Sequence, residues 1–246
     1  KREKEDGITR ERQTRWPAKE VRMIKTPLSV ARTDIKKVVT QFISKSGSND
    51  RYASFDYCYN YFRTTSDLTR DIEKSALMLG FYLASWGMFR GSSFLLQKSA
   101  KHFERTIEYV AALDRTVWEI DVDDYTDENI QKIISIYAEL KGRLIHNANA
   151  ELTLITKVLL GVFGFVPAFD SYFSETFRQI SNGQCGFRRV NTKSLGFIRT
   201  FYEANQVTID NLSNTTFTID FATGKTTEIA YPKAKIIDMY GFAASK

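Results

Sequence analysis

From Ser29 to Ala204 apolar residues return at three- and four-residue intervals with few interruptions, and this periodicity constrains the chain more than any other feature. Only 4 Pro and 13 Gly stand among 246 residues, so there are few points at which a helix must break. Val30, Ile35, Val38, Val39, Phe42 and Ile43 predict a short helix that ends at Ser46-Gly-Ser-Asn-Asp50. The aromatic run Phe55–Phe62 predicts a second, and the segment through Leu68, Ile72, Ala76, Leu79 and Leu83 a third, with Thr64–Asp67 as the cap between them. Leu96–Ala112, Asp127–His146, Leu152–Val162, Ser171–Ile180 and Thr192–Ala204 follow, most opening on or just after Asp, Asn, Ser or Thr.

The period then changes. Phe217, Ile219 and Phe221 alternate with polar residues, Ala-Thr-Gly-Lys turns the chain, and Ile229 and Tyr231 alternate on the return, which predicts a β-hairpin over about residues 215–231. Pro232 suits the first turn of a closing helix from Lys233 to about Tyr240. The expected fold class is mainly α: one helical domain over 29–246 with a small C-terminal β-hairpin, preceded by a basic arm over 1–28.

Charge singles out that arm. The chain carries 35 basic and 29 acidic residues, net +6, but residues 1–50 hold 13 of the basic and 7 of the acidic ones, so the remainder is balanced. A basic segment of this kind suits phosphate or an anionic surface. The longest apolar runs, Leu77–Trp86 and Val158–Ala168, fall short of the roughly 20 residues of a membrane span, so no membrane association is expected. Lys1–Asp6 leads into no apolar stretch, which predicts no signal peptide and a cytoplasmic protein; a monomer is expected. Cys58 and Cys185, 127 residues apart, with His102 and His146, are too few for a disulfide framework or a zinc or iron–sulfur site, so no metal and no cofactor is expected.

Several motifs dissolve on inspection. Gly224-Lys225-Thr226 lacks the glycine five positions earlier that a phosphate loop needs, since Ile219 stands there, and it reads as a hairpin turn. The Pro-Cys-x-x-Cys of zinc deaminases is missing, and no serine sits in a Gly-x-Ser-x-Gly elbow. His146, after Lys141 and Arg143, suits the C-terminal end of a helix dipole, and Asn147-Ala-Asn149 suits a tight turn between two helices.

The run Thr153-Leu-Ile-Thr-Lys-Val-Leu-Leu-Gly-Val-Phe-Gly164 follows that turn, and Phe165-Val-Pro-Ala-Phe then leads to Asp170 at the start of another helix. This order of helix, turn, helix ending in glycine, short loop and aspartate resembles the helix-hairpin-helix DNA glycosylases over about 45 residues, from near Ile130 to Phe177. The resemblance implies that Asp170 is the catalytic carboxylate and that Thr153–Gly164 is the second helix of the hairpin element. Two features depart from the family pattern. Asn147-Ala-Asn149 replaces its Gly-x-Gly, and the lysine of bifunctional members has no counterpart, because Ala150, Glu151 and Leu152 occupy that neighbourhood and Lys157 falls one turn late. The implied activity is therefore that of a monofunctional DNA glycosylase. In overall texture the chain is also similar to bacterial phage-defence glycosylases that remove hypermodified cytosines, which implies double-stranded DNA with modified bases as partner.

Cleavage of an N-glycosidic bond builds positive charge on the sugar, which a fixed carboxylate stabilises. Asp170 is equally suited to cap the helix it precedes, and the two roles are compatible. A flipped base needs a pocket, for which Tyr57, Tyr59, Asn60, Tyr61, Trp86, Arg90 and Gln97 are candidates, while Gly87 and Gly91 allow either close packing or a ligand site beside Trp86. His146, Asn147, Asn149, Lys157, Arg188, Arg189 and Lys193 are candidates for the DNA backbone. A non-enzymatic nucleic-acid-binding protein using the basic arm and the same turn remains the alternative.

Overall fold

A computed structural model describes residues 34–145 and 152–244. The arm and the turn at 146–151, with His146, Asn147 and Asn149, lie outside the described residues. The fold is mainly helical with one small antiparallel sheet.

Helix α1 (Ile35–Ile43) starts where the Asp34 carboxylate accepts the Lys37 N–H. Helix α2 (Ser54–Thr64) buries Phe55, Cys58, Tyr59 and Phe62. Helix α3 (Ile72–Ser85) begins later than the apolar pattern does, because Asp67 binds the amides of Thr69 and Arg70 in a separate turn and Asp71 supplies the cap through Lys74 N–H. The helix expected over Leu96–Ala112 is replaced by two 3-10 turns, Phe94–Gln97 and Ala100–Phe103, before the short α4 (Glu104–Ala111). Ser93 and Ser99 precede those turns in extended backbone, and each restarts the chain.

Helix α5 (Asp127–Leu144) is capped by Thr126, and α6 (Leu152–Phe163) is mostly apolar and buried on every face from Leu154 to Phe163, Lys157 included. A helix of that composition belongs at the centre, and α6 packs against α2, α3 and α5. Gly164, in left-handed backbone at φ 80°, ends it. A Cβ there would stand 2.6 Å from Pro232 Cγ and 2.7 Å from Tyr59 Cε2, so no other residue fits. Helices α7 (Ser171–Ile180) and α8 (Thr192–Ala204) match their sequence patterns, and α9 (Gln206–Thr215), which the sequence reading missed, follows after Asn205.

Strands β1 (Phe217–Ile219) and β2 (Thr226–Ala230) pair antiparallel around a turn held by Asp220, with Gly224 at φ 65°. The Gly224-Lys225-Thr226 segment is thus hairpin, not phosphate loop. Helix α10 (Lys233–Ala243) closes the chain against α7, α1 and α9. Its first two N–H groups, of Lys233 and Ala234, donate to the buried Asp121 carboxylate, which caps the helix from a distant segment. One hydrophobic cluster runs from α1 to α10. No helix among the described residues is long and apolar enough to cross a membrane.

Candidate active site

Asp170 stands in extended backbone ahead of α7, and its Oδ1 accepts the Phe173 N–H at 2.9 Å. Asp170 lines a cavity of about 710 Å³, and its Oδ2, not used by the cap, lies 3.5 Å from Lys157 Nζ. Lys157 projects from α6 into the same space with only 4% of its side chain exposed. Burial pushes the Lys157 ammonium below its usual lysine range; Asp170 and Asp238 pull it back up, and the Lys235 cation adds to the fall. The face of the Trp86 indole, 4.9 Å away, supplies further cation stabilisation.

The backbone leading to Asp170 is tied on both sides. Asp238 on α10 accepts the Ala168 N–H through Oδ1 and the Lys235 ammonium through Oδ2, both of them buried. Phe169 N–H donates to Thr156 Oγ1, and Thr153 Oγ1 donates to the Phe169 carbonyl. Phe169 also stacks on Phe173. These bonds fix the carboxylate relative to α6 and α10, a condition for electrostatic preorganisation.

Trp86 reaches the cavity because α3 ends on a glycine. Gly87 takes φ 78°, its N–H bonds Ala84 O, and Met88 N–H bonds Leu83 O, a paired reversal that closes the helix and turns the chain along the cavity. Arg90 lines it, and so do Arg51, Ser93, Thr153, Tyr172 and Phe242. The Trp86 Nε1 is buried with no partner among the described residues. Gly87 and Gly91 therefore terminate and turn the chain instead of interrupting a helix, and Trp86 and Arg90 do line a cavity as one of the two readings expects.

The other candidate pocket residues lie elsewhere. Tyr57 O–H donates to Ser48 O, Asn60 Nδ2 donates to Ile219 O, and Tyr61 O–H meets Ser75 Oγ at 2.8 Å. Tyr59 is buried in a stack with Phe55 and borders a different hollow, near Trp118. Gln97 is exposed at the end of a 3-10 turn, outside the cavity lining. Arg188, Arg189 and Lys193 are exposed. Phe187 packs edge-on against Phe169 and Phe173, and its carbonyl accepts from Ser174 Oγ, so the loop carrying Arg188 folds back along α7.

Sequence reasoning missed Arg51, Tyr172 and Phe242 in the lining, and Lys235 and Asp238 behind it. No local motif marks them, because they come from separate segments that meet only through packing. It also placed Lys157 on the DNA backbone, one turn too far along for the family's lysine, whereas the side chain reaches Asp170.

Behind Trp86 a smaller cavity of about 210 Å³ is lined by Phe42, Tyr52, Asp56 and Lys235 among others. Asp56 accepts from Tyr231 O–H and Ile219 N–H, and burial pushes its carboxyl up to about 6. Among the described residues no three His, Cys, Asp or Glu side chains gather as metal ligands would. No protein-family model, curated protein or solved structure matches the chain.

Proposed function

We propose that this protein hydrolyses N-glycosidic bonds in DNA, with Asp170 as the catalytic carboxylate. The observation that carries this reading is a carboxylate fixed by its own helix cap, lining a cavity large enough for a nucleotide and walled by Trp86, Tyr172 and Phe242. With a flipped nucleotide seated there, the Asp170 carboxylate stabilises positive charge at C1′ as the base leaves and orients the attacking water. Lys157 pairs with the carboxylate at 3.5 Å. The sequence resemblance supplies the expected substrate, a hypermodified cytosine of phage DNA, and with it a role in antiviral defence.

Incubation with duplexes of unmodified and phage-modified composition, scored for abasic sites, tests the proposal. Abasic sites that disappear in Asp170→Asn are expected; none from any duplex would overturn the enzymatic reading, and DNA retained without base release would favour the binding-protein alternative.

One observation favours a second reading. The Lys157 amine is buried beside Asp170, and burial lowers its ammonium below the usual lysine range, the direction that favours a nucleophilic amine. Attack of neutral Nζ on C1′ forms the N–C1′ bond as the bond to the base breaks. The base departs with one of the two nitrogen protons, and opening of C1′–O4′ places the other on O4′, leaving a neutral imine. Borohydride would convert that imine into a stable protein–DNA adduct, which Lys157→Gln would not form; hydrolysis by water gives none.

A further inference from the structure

Resting on the reading of the cavity as a nucleotide site, we propose that Arg51 and Arg90 form a phosphate clamp at its mouth, gripping the phosphodiester groups that flank the flipped nucleotide. The cavity lining contains three cations and one carboxylate. Lys157 and Asp170 pair with each other, so the positive charge left over belongs to the two arginines. Neither makes an ion pair among the described residues, so both charges remain for a ligand in the cavity they line.

Both arginines are exposed, and their guanidinium groups lie against neighbouring residues. Arg51 lies over the Tyr52 ring at 4.7 Å, and its Nη2 donates to the Tyr52 hydroxyl at 3.3 Å. Arg90 folds back across Gly87: a Cβ there would stand 3.1 Å from its Nε and 3.2 Å from its Cζ, so the bare glycine makes room for the side chain. A planar fork with no carboxylate partner among the described residues matches a phosphodiester in shape and charge. The reaction itself requires no net positive charge at the mouth, since the developing charge on the sugar is positive. The clamp thus recognises the substrate's backbone and leaves the base to the aromatic walls. It also moves Arg90, a candidate base-pocket residue by sequence, to the phosphate.

The test uses the full chain and a fluorescent duplex carrying one tetrahydrofuran abasic analogue, which has no scissile bond, so binding is read whether or not catalysis occurs. Arg51→Ala and Arg90→Ala are each expected to lower the slope of log K against log salt by about 1, and the double variant by about 2. Arg51→Lys with Arg90→Lys is expected to restore the slope but not the full affinity, which a merely structural role would not do. A wild-type slope in the double alanine variant overturns the clamp, even where base release from a cleavable duplex upholds the enzymatic reading. Inorganic phosphate bound through the two arginines, with no duplex bound at any salt, overturns DNA as the source of the phosphate and the enzymatic reading with it.

Discussion

Two segments that carry aromatic side chains meet opposite fates in this molecule. Helix α2 offers Phe55, Tyr57, Tyr59, Tyr61 and Phe62, yet α3, α6 and β1 pack around it, so its rings go into the core and Tyr57 and Tyr61 bond locally. The segment Trp86–Arg90 begins where α3 stops, and the Gly87 reversal puts an indole and a guanidinium against open volume. Mid-helix aromatics covered by neighbouring elements complete the core, whereas the same residue types at a glycine-terminated helix end remain available to a ligand.

The strongest way to break this contrast is to change the open region at its chemical centre. Asp170→Asn is expected to lower base release at least ~100-fold, the scale of losing one preorganised charge, and to lower stability as well, because Asn keeps the helix cap but leaves the buried Lys157 ammonium without its carboxylate partner. In the closed region the expected effect is on stability. Tyr59→Ala should cost about 3–5 kcal/mol in denaturant unfolding, the scale of emptying a core aromatic, and Tyr59→Phe should retain base release.

The closed region also has a pH signature. Asp56 and Asp121 are both buried, and desolvation raises each carboxyl from 3.8 to about 6 in the folded state. The folded chain then binds more protons than the unfolded chain between those values, so these two groups favour the fold more as pH falls through that window. Wild type should gain on Asp56→Asn by up to about 1.4 kcal/mol per pH unit on going from 6 toward 4, read by thermal unfolding of both proteins. A difference independent of pH would contradict the burial of that carboxylate.

Smaller effects sharpen the comparison. Gly87→Ala forces a side chain into left-handed backbone and against Arg90, with an expected loss of about 1–2 kcal/mol and weakened DNA binding. Tyr57→Phe removes one partly buried hydrogen bond, for about 1 kcal/mol or less, and should leave base release unchanged.

Elements with both a cap and a clear period were legible from sequence. Helices α7 and α8 and the hairpin stand where their patterns put them, because Asp170, Asn191 and Gly224 mark boundaries that local chemistry dictates. Residues 96–103 were not, since their apolar spacing fits a helix but Ser93 and Ser99 restart the chain in short 3-10 turns. Helix α9 escaped because it buries only Ile209, Leu212 and Ser213, too few to show a period. Of the candidate site, Asp170 could be read as the cap of α7 and, through the family resemblance, as the candidate carboxylate, and Trp86 and Arg90 from glycine placement. The nearness of Lys157 to Asp170 could not: it depends on how the loop over residues 164–169 returns across α6, held by Asp238 from the far end of the chain.

The most direct measurement is release of free base, by mass spectrometry, from phage-modified and unmodified duplexes treated in parallel with wild type and with Asp170→Asn, the folds matched by circular dichroism. Base release by wild type and none above background by the variant is the expected result. Equal release by both, or release by neither from any duplex, would contradict Asp170 as the catalytic carboxylate.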